Sequence, residues 1–114
     1  MTTLLPKDAD NNVIPALRLR DGGAHTLSVT TASAQSNTLA FDVDTKIISL
    51  YSTVPVYIKF SDNAAGATTS DHFFPANIYY DIAISGGGHK GVHYSFISAL
   101  ASDTDGTLYI SEKQ

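Results

Sequence analysis

The sequence has no cysteine, which excludes disulfide scaffolds, thiolate zinc sites, iron-sulfur clusters and thiol catalysis by counting alone. That lack suits a chain made in a reducing cytoplasm. Cations are also few. Seven Lys plus Arg against eleven acidic residues give a net charge of -4, the wrong balance for a surface that neutralises many phosphates, so nucleic acid is not expected as a direct ligand. Long apolar runs are missing, and Met1 leads into Thr2 and Thr3 rather than a basic segment backed by an apolar one. Neither a membrane span nor a signal peptide is expected. Glutamate is nearly absent: Glu112 stands alone among ten aspartates. Since Asp favours turns and caps whereas Glu favours helix interiors, the imbalance points away from helices.

What the chain does contain agrees. Twelve Ser, twelve Thr, eight Gly and six Tyr in 114 residues describe short strands joined by turns. The length suits one core and is too short for two ordinary domains. Residues 1–15 carry Pro6, Pro15 and the polar run from Lys7 to Asn12, with only Leu4, Leu5, Val13 and Ile14 to bury, and read as an extended arm. Residues 16–114 form the domain.

Apolar residues then recur with a period near two. Leu17 and Leu19 precede a turn signal at Asp21-Gly22-Gly23, and Leu27 and Val29 follow it with His25 on their face. Residues 30–37 read as a loop or weak edge segment. Leu39, Phe41 and Val43 restore the alternation, and Asp44-Thr45 marks a turn. Strands are predicted over 46–51 and 54–60, the second starting at Pro55 or lying on an edge there. A surface loop over 61–71 leads to a strand through Ile78, Tyr80, Ile82 and Ile84. Val92, Tyr94 and Phe96 share a face of the next strand, Asp103 to Gly106 turns the chain, and Leu108 and Ile110 close it. The expected fold is all-β, an antiparallel sandwich or jelly roll of about eight short strands with an extended N-terminal arm.

Several motifs imitate chemistry. Gly86-Gly87-Gly88-His89-Lys90-Gly91 satisfies GxGxxG after a strand, but residues 92–97 are rich in β-branched and aromatic types, and residues 1–78 supply no helices for a parallel sheet. It reads as a flexible hairpin loop. His89 and His93 would share a face, yet no HxH pair or nearby carboxylate completes a cupin-type centre, and His25 and His72 read as polar loop residues. Asp8 to Asn12 opens like a calcium loop but has Val13 and Leu19 where Gly and Glu are required. There is no GxSxG elbow, and paired carboxylates would have to be aspartates. No catalytic residue, metal or cofactor is predicted. Tyr51, Tyr57, Tyr79 and Tyr109 fall opposite the aliphatic stripes, where they could stack on sugars or bases, or be covered by a neighbouring protein. A charged fraction of 16% suits a surface covered by protein.

Three segments carry a resemblance: Val54-Pro55-Val56-Tyr57-Ile58-Lys59-Phe60, then Ala67 to Ala76 reading ATTSDHFFPA, then Gly106 to Glu112 reading GTLYISE. Over roughly its C-terminal half the chain resembles the small β-sandwich structural proteins of tailed bacteriophages. The resemblance implies a non-enzymatic virion component assembled in the host cytoplasm. A capsid decoration or cement protein comes first, with a neck, tail or head-fibre accessory protein as the alternative. In that role, interface area buried on the major capsid protein opposes the pressure of packaged DNA. It also implies a homo-oligomer, a trimer by analogy, with the arm residues Leu4, Leu5, Val13 and Ile14 and the outward Tyr57, Tyr79 and Tyr109 as interface candidates. Two rivals remain open: a glycan-binding β-sandwich using Tyr57 or Tyr79, and a small metal-dependent β-barrel enzyme.

Overall fold

A computed structural model describes residues 9–10, 18–63, 65–85 and 93–114. The expected arm residues Leu4, Leu5, Val13 and Ile14, and the glycine-rich run with His89, lie outside them. Eight strands follow one another: β1 Leu19–Val29, β2 Gln35–Ser36, β3 Ile47–Ser52, β4 Val56–Ser61, β5 His72–Phe74, β6 Tyr79–Ala83, β7 Phe96–Ala101 and β8 Gly106–Lys113. No helix occurs among the described residues. The strands form two antiparallel sheets, β1-β8-β3-β6 and β2-β7-β4-β5.

This order has a simple origin. β1 pairs with β8, β2 with β7, β3 with β6 and β4 with β5, so the chain is one long antiparallel hairpin whose tip is the 62–71 loop. Rolling that hairpin lays β3 against β8 and β4 against β7, which completes both sheets. The result is a jelly roll. Aliphatic residues from alternate positions meet between the sheets: Ile48, Leu50, Leu108 and Ile110 from one, Val56, Ile58 and Ile97 from the other, all essentially without solvent exposure. Alternation put them there, because successive side chains of a strand face opposite sides. Pro55, which has no N–H to donate, stands immediately before β4, as expected.

Four expectations are corrected. The turn expected at Asp21-Gly22-Gly23 does not break the strand. It is a bulge inside β1: Leu19 pairs with Lys113 and Ala24 with Ser111, so five steps along β1 match two along β8, and Gly22 takes the left-handed φ of 74° that the arch requires. Leu39, Phe41 and Val43 do not make a strand. Phe41 is buried, while Leu39 and Val43 stand in solvent at 71% and 76% exposure. That loop is tied down by a side chain instead of a ladder. Buried Asn37 donates from Nδ2 to the carbonyls of Leu39 (2.6 Å) and Ser95 (3.3 Å), and its Oδ1 accepts the Ile97 N–H (2.9 Å). An amide that satisfies the backbone this way competes with strand pairing. Lastly, β7 turns Ile97, Ala99 and Ala101 inward rather than the phase of Tyr94 and Phe96, and β5 adds a three-residue strand where none was expected.

If Asn37 holds the 37–45 loop, Asn37→Ala leaves the Ile97 N–H buried without a partner, at a cost of about 2 kcal/mol. Urea unfolding should show a lower midpoint with an unchanged m-value.

Candidate functional site

Two kinds of site emerge, a buried carboxylate cluster and the outer faces of the sheets. The cluster is centred on Glu112, whose side chain is 1% exposed. Its position follows from register: Leu108, Ile110 and Glu112 share the inward side of β8, and His25, Leu27 and Val29 share that of β1. Gly23 stands beside Glu112, and a Cβ there would come within 2.9 Å of the Glu112 Cβ, so glycine leaves the room the carboxylate occupies. Oε1 accepts the Asp42 N–H at 2.8 Å and the Thr45 hydroxyl at 2.7 Å, and Oε2 accepts the His25 Nε2–H at 2.8 Å. The Arg20 guanidinium lies 3.5 Å from Oε2 and 3.3 Å from Asp42. His93 donates from Nε2 to the Thr45 carbonyl at 3.0 Å, which leaves Nδ1 to accept from Ser95 in the neutral ring.

Burial alone would raise the Glu112 pKa. Hydrogen bonds from His25, Thr45 and the Asp42 N–H outweigh it and hold the carboxyl below its ordinary value, so it is ionised near neutrality. The order of the groups matters for chemistry. In an activated nucleophile a hydroxyl faces the imidazole and the acid stands behind it. Here Thr45 and His25 both donate to the same carboxylate, which makes the cluster a clasp joining β1, β8 and the 37–45 loop.

His25 therefore lies in a strand and points inward, against the expectation of a polar loop residue. The edge of its ring packs on Phe41, with centroids 4.9 Å apart. The signal was present in the alternation, since two ionisable residues held inward positions on two strands. Nothing in the sequence showed that those strands would be neighbours.

The outer faces separate the tyrosines. Tyr79, Tyr51 and Tyr109 are cross-strand partners in one row over β6, β3 and β8, with Tyr79 75% and Tyr109 50% exposed. Tyr57 belongs to the opposite sheet. There it pairs with Leu100 and with Phe73, whose ring centroid is 5.5 Å from its own. Tyr57 and Tyr79 thus cannot serve one platform. Past residue 64 the 62–71 loop folds over the same sheet as Tyr57, where the buried Ala67 donates its N–H to the Ser98 hydroxyl.

No group of three or more His, Cys, Asp or Glu placed to hold a metal ion occurs among the described residues. Comparison of the chain with protein-family models, curated proteins and solved structures returned no match in any of the three.

Because the Glu112 pKa is depressed in the fold, its stabilisation is fully present above the unfolded value near 4.5 and is lost as pH falls through the folded one. Glu112→Gln keeps the shape but removes the charge and one acceptor. It should cost about 2–3 kcal/mol at pH 7, and the cost should shrink as pH falls below the unfolded value near 4.5. Urea titrations of both proteins from pH 7 to pH 3 read the difference.

Proposed function

We propose that the chain is a non-enzymatic structural protein of a tailed-bacteriophage virion, a decoration or cement protein that docks on the major capsid protein through an apolar sheet face. The observation that carries this reading is the cross-strand row Leu100–Tyr57–Phe73 on β7, β4 and β5. Phe73 is 54% exposed, and its ring and that of Tyr57 meet edge to face. Rigid aromatic anchors on a sheet lose little conformational freedom on docking, and such residues are enriched where interfaces carry their energy. Lys59, two residues along β4 on the same face, supplies a polar rim.

The jelly-roll order supports the reading, because capsid domains use it. Fold alone does not decide function, and lectin domains share the architecture. The apolar patch tips the choice toward a protein partner. A low charge density and the segments that resemble phage β-sandwich proteins point the same way. A head position places the role in mechanics: interface area resists expansion of the shell. Homo-oligomers, with a trimer favoured, would present the patch in several copies.

The test is reconstitution on heads stripped of the native protein. The full chain should co-sediment with stripped heads, raise the temperature at which they release DNA, and sediment as a three-chain species when free. Phe73→Asp should weaken head binding at least tenfold while leaving the fold intact. Binding to isolated tails instead of heads would assign the neck or tail role, and binding to neither would refute the virion reading.

A further inference from the structure

The opposite sheet has a different chemistry. Next to the row Tyr79–Tyr51–Tyr109 lies a polar row, Asp81–Ser49–Ser111, two residues further along the same three strands. Two residues of strand separate the rows by about 7 Å. A shallow depression of about 600 Å³ opens over the polar row, with Tyr79 at one side and Arg18, Leu19 and Lys113 at the other. Its walls are held in place. The Tyr51 and Tyr79 rings lie 4.8 Å apart, and the Tyr51 hydroxyl donates to Asn77 at 3.1 Å. Asp81 Oδ1 accepts from Ser49 at 2.6 Å and from Lys113 at 2.9 Å, whereas Oδ2 takes neither bond. Arg18 is fixed at the rim by two backbone hydrogen bonds with Gln114, at 3.0 and 2.9 Å.

We propose that this face binds an acidic saccharide, a pyranose bearing a carboxylate, with its ring on Tyr79 and its carboxylate on Arg18. Each part of the ligand meets a group that lines the depression. The C–H face of a pyranose is apolar and flat, and suits an exposed phenol ring that is amphipathic in the same way. Its hydroxyls need donors and acceptors at short range, which Asp81 Oδ2 and the Ser111 hydroxyl provide. Lys113 is offset by Asp81, so Arg18 leaves the depression one positive charge in surplus on a chain of net charge -4. A guanidinium fork matches a carboxylate in two parallel bonds.

Rival occupants fit less well. A protein partner would have to desolvate Asp81, whose side chain is 61% exposed, near the middle of the contact, where interfaces are depleted of charge. A nucleic acid would bring a row of phosphates to two cations, one of them already paired. The inference does not rest on the virion reading, which uses the other sheet, and either can fail alone.

Affinity electrophoresis of the full chain in gels containing polygalacturonate, dextran or polyglutamate tests it. Retardation is expected with polygalacturonate, at least fivefold weaker with dextran, and absent with polyglutamate, a polyanion with no sugar ring. Tyr79→Ala should weaken retardation at least tenfold. Arg18→Gln should bring polygalacturonate down to the dextran level, and Thr104→Ala, on a remote turn, should leave it unchanged. All three positions are solvent-exposed, and matching melting curves confirm that the variants fold. Titration with galacturonic acid then tells a monosaccharide site from one that needs the polymer. No retardation, equal retardation by dextran or by polyglutamate, or a Tyr79→Ala variant that behaves as wild type would each overturn the proposal.

Discussion

A carboxylate taken out of water must be met by donors, and Glu112 collects them from three separate stretches of chain. His25 comes from β1, while Thr45 and the Asp42 N–H come from the loop that carries the chain from one sheet to the other. Removing any one donor would leave part of a buried charge unmatched, so these stretches are held or released together. The glycine beside Glu112, the bulge that brings Arg20 within reach and the turn closed by the Thr45 N–H on the Asp42 carbonyl all serve the same geometry. The sheets pack through ordinary aliphatic burial. What orients the crossing loop between them is this acid at one end together with the Asn37 amide at the other.

Much of the architecture was legible because alternation is a direct record of a half-buried strand. Ile48 and Leu50, Val56 and Ile58, and Leu108 and Ile110 all turn inward as their spacing predicts. The misreadings have a common cause. Leu39, Phe41 and Val43 alternate, but Asn37 spends its side chain on the backbone that a ladder would need, and a one-residue amide contact leaves no periodic trace. The bulge at Gly22 looked like a turn because glycine serves both, and only the continuing partner strand tells them apart. The clasp was half visible: an inward Glu and an inward His could be seen separately, but which strands adjoin is a property of the rolled hairpin and not of any local window.

The two outer faces show how one strand pattern can carry two chemistries. Both place aromatic rings in cross-strand rows, where neighbours stand close enough to fix one another. On one sheet the row is completed by Leu100 and Phe73. On the other it is followed by Asp81, Ser49 and Ser111. Sequence separation hid this division, since Tyr79 is only six residues from Phe73 yet lies on the other side of the molecule. The corner at Pro75 to Ile78, where Asn77 adopts a φ of 64°, carries the chain across.

The rolled hairpin also bears on how the protein is made. Among the eight strands the partners nearest in sequence are the two at its tip, and pairing distance grows outward until Leu19 meets Lys113 across 94 positions. On the ribosome β1 emerges long before β8 exists, and it has no other full-length partner to wait with. Closing such distant contacts is slow, because chain entropy is lost before the contacts form. The fold therefore completes only after β8 is free of the exit tunnel, and until then the apolar side of β1 must be kept from other chains by chaperones or by speed alone.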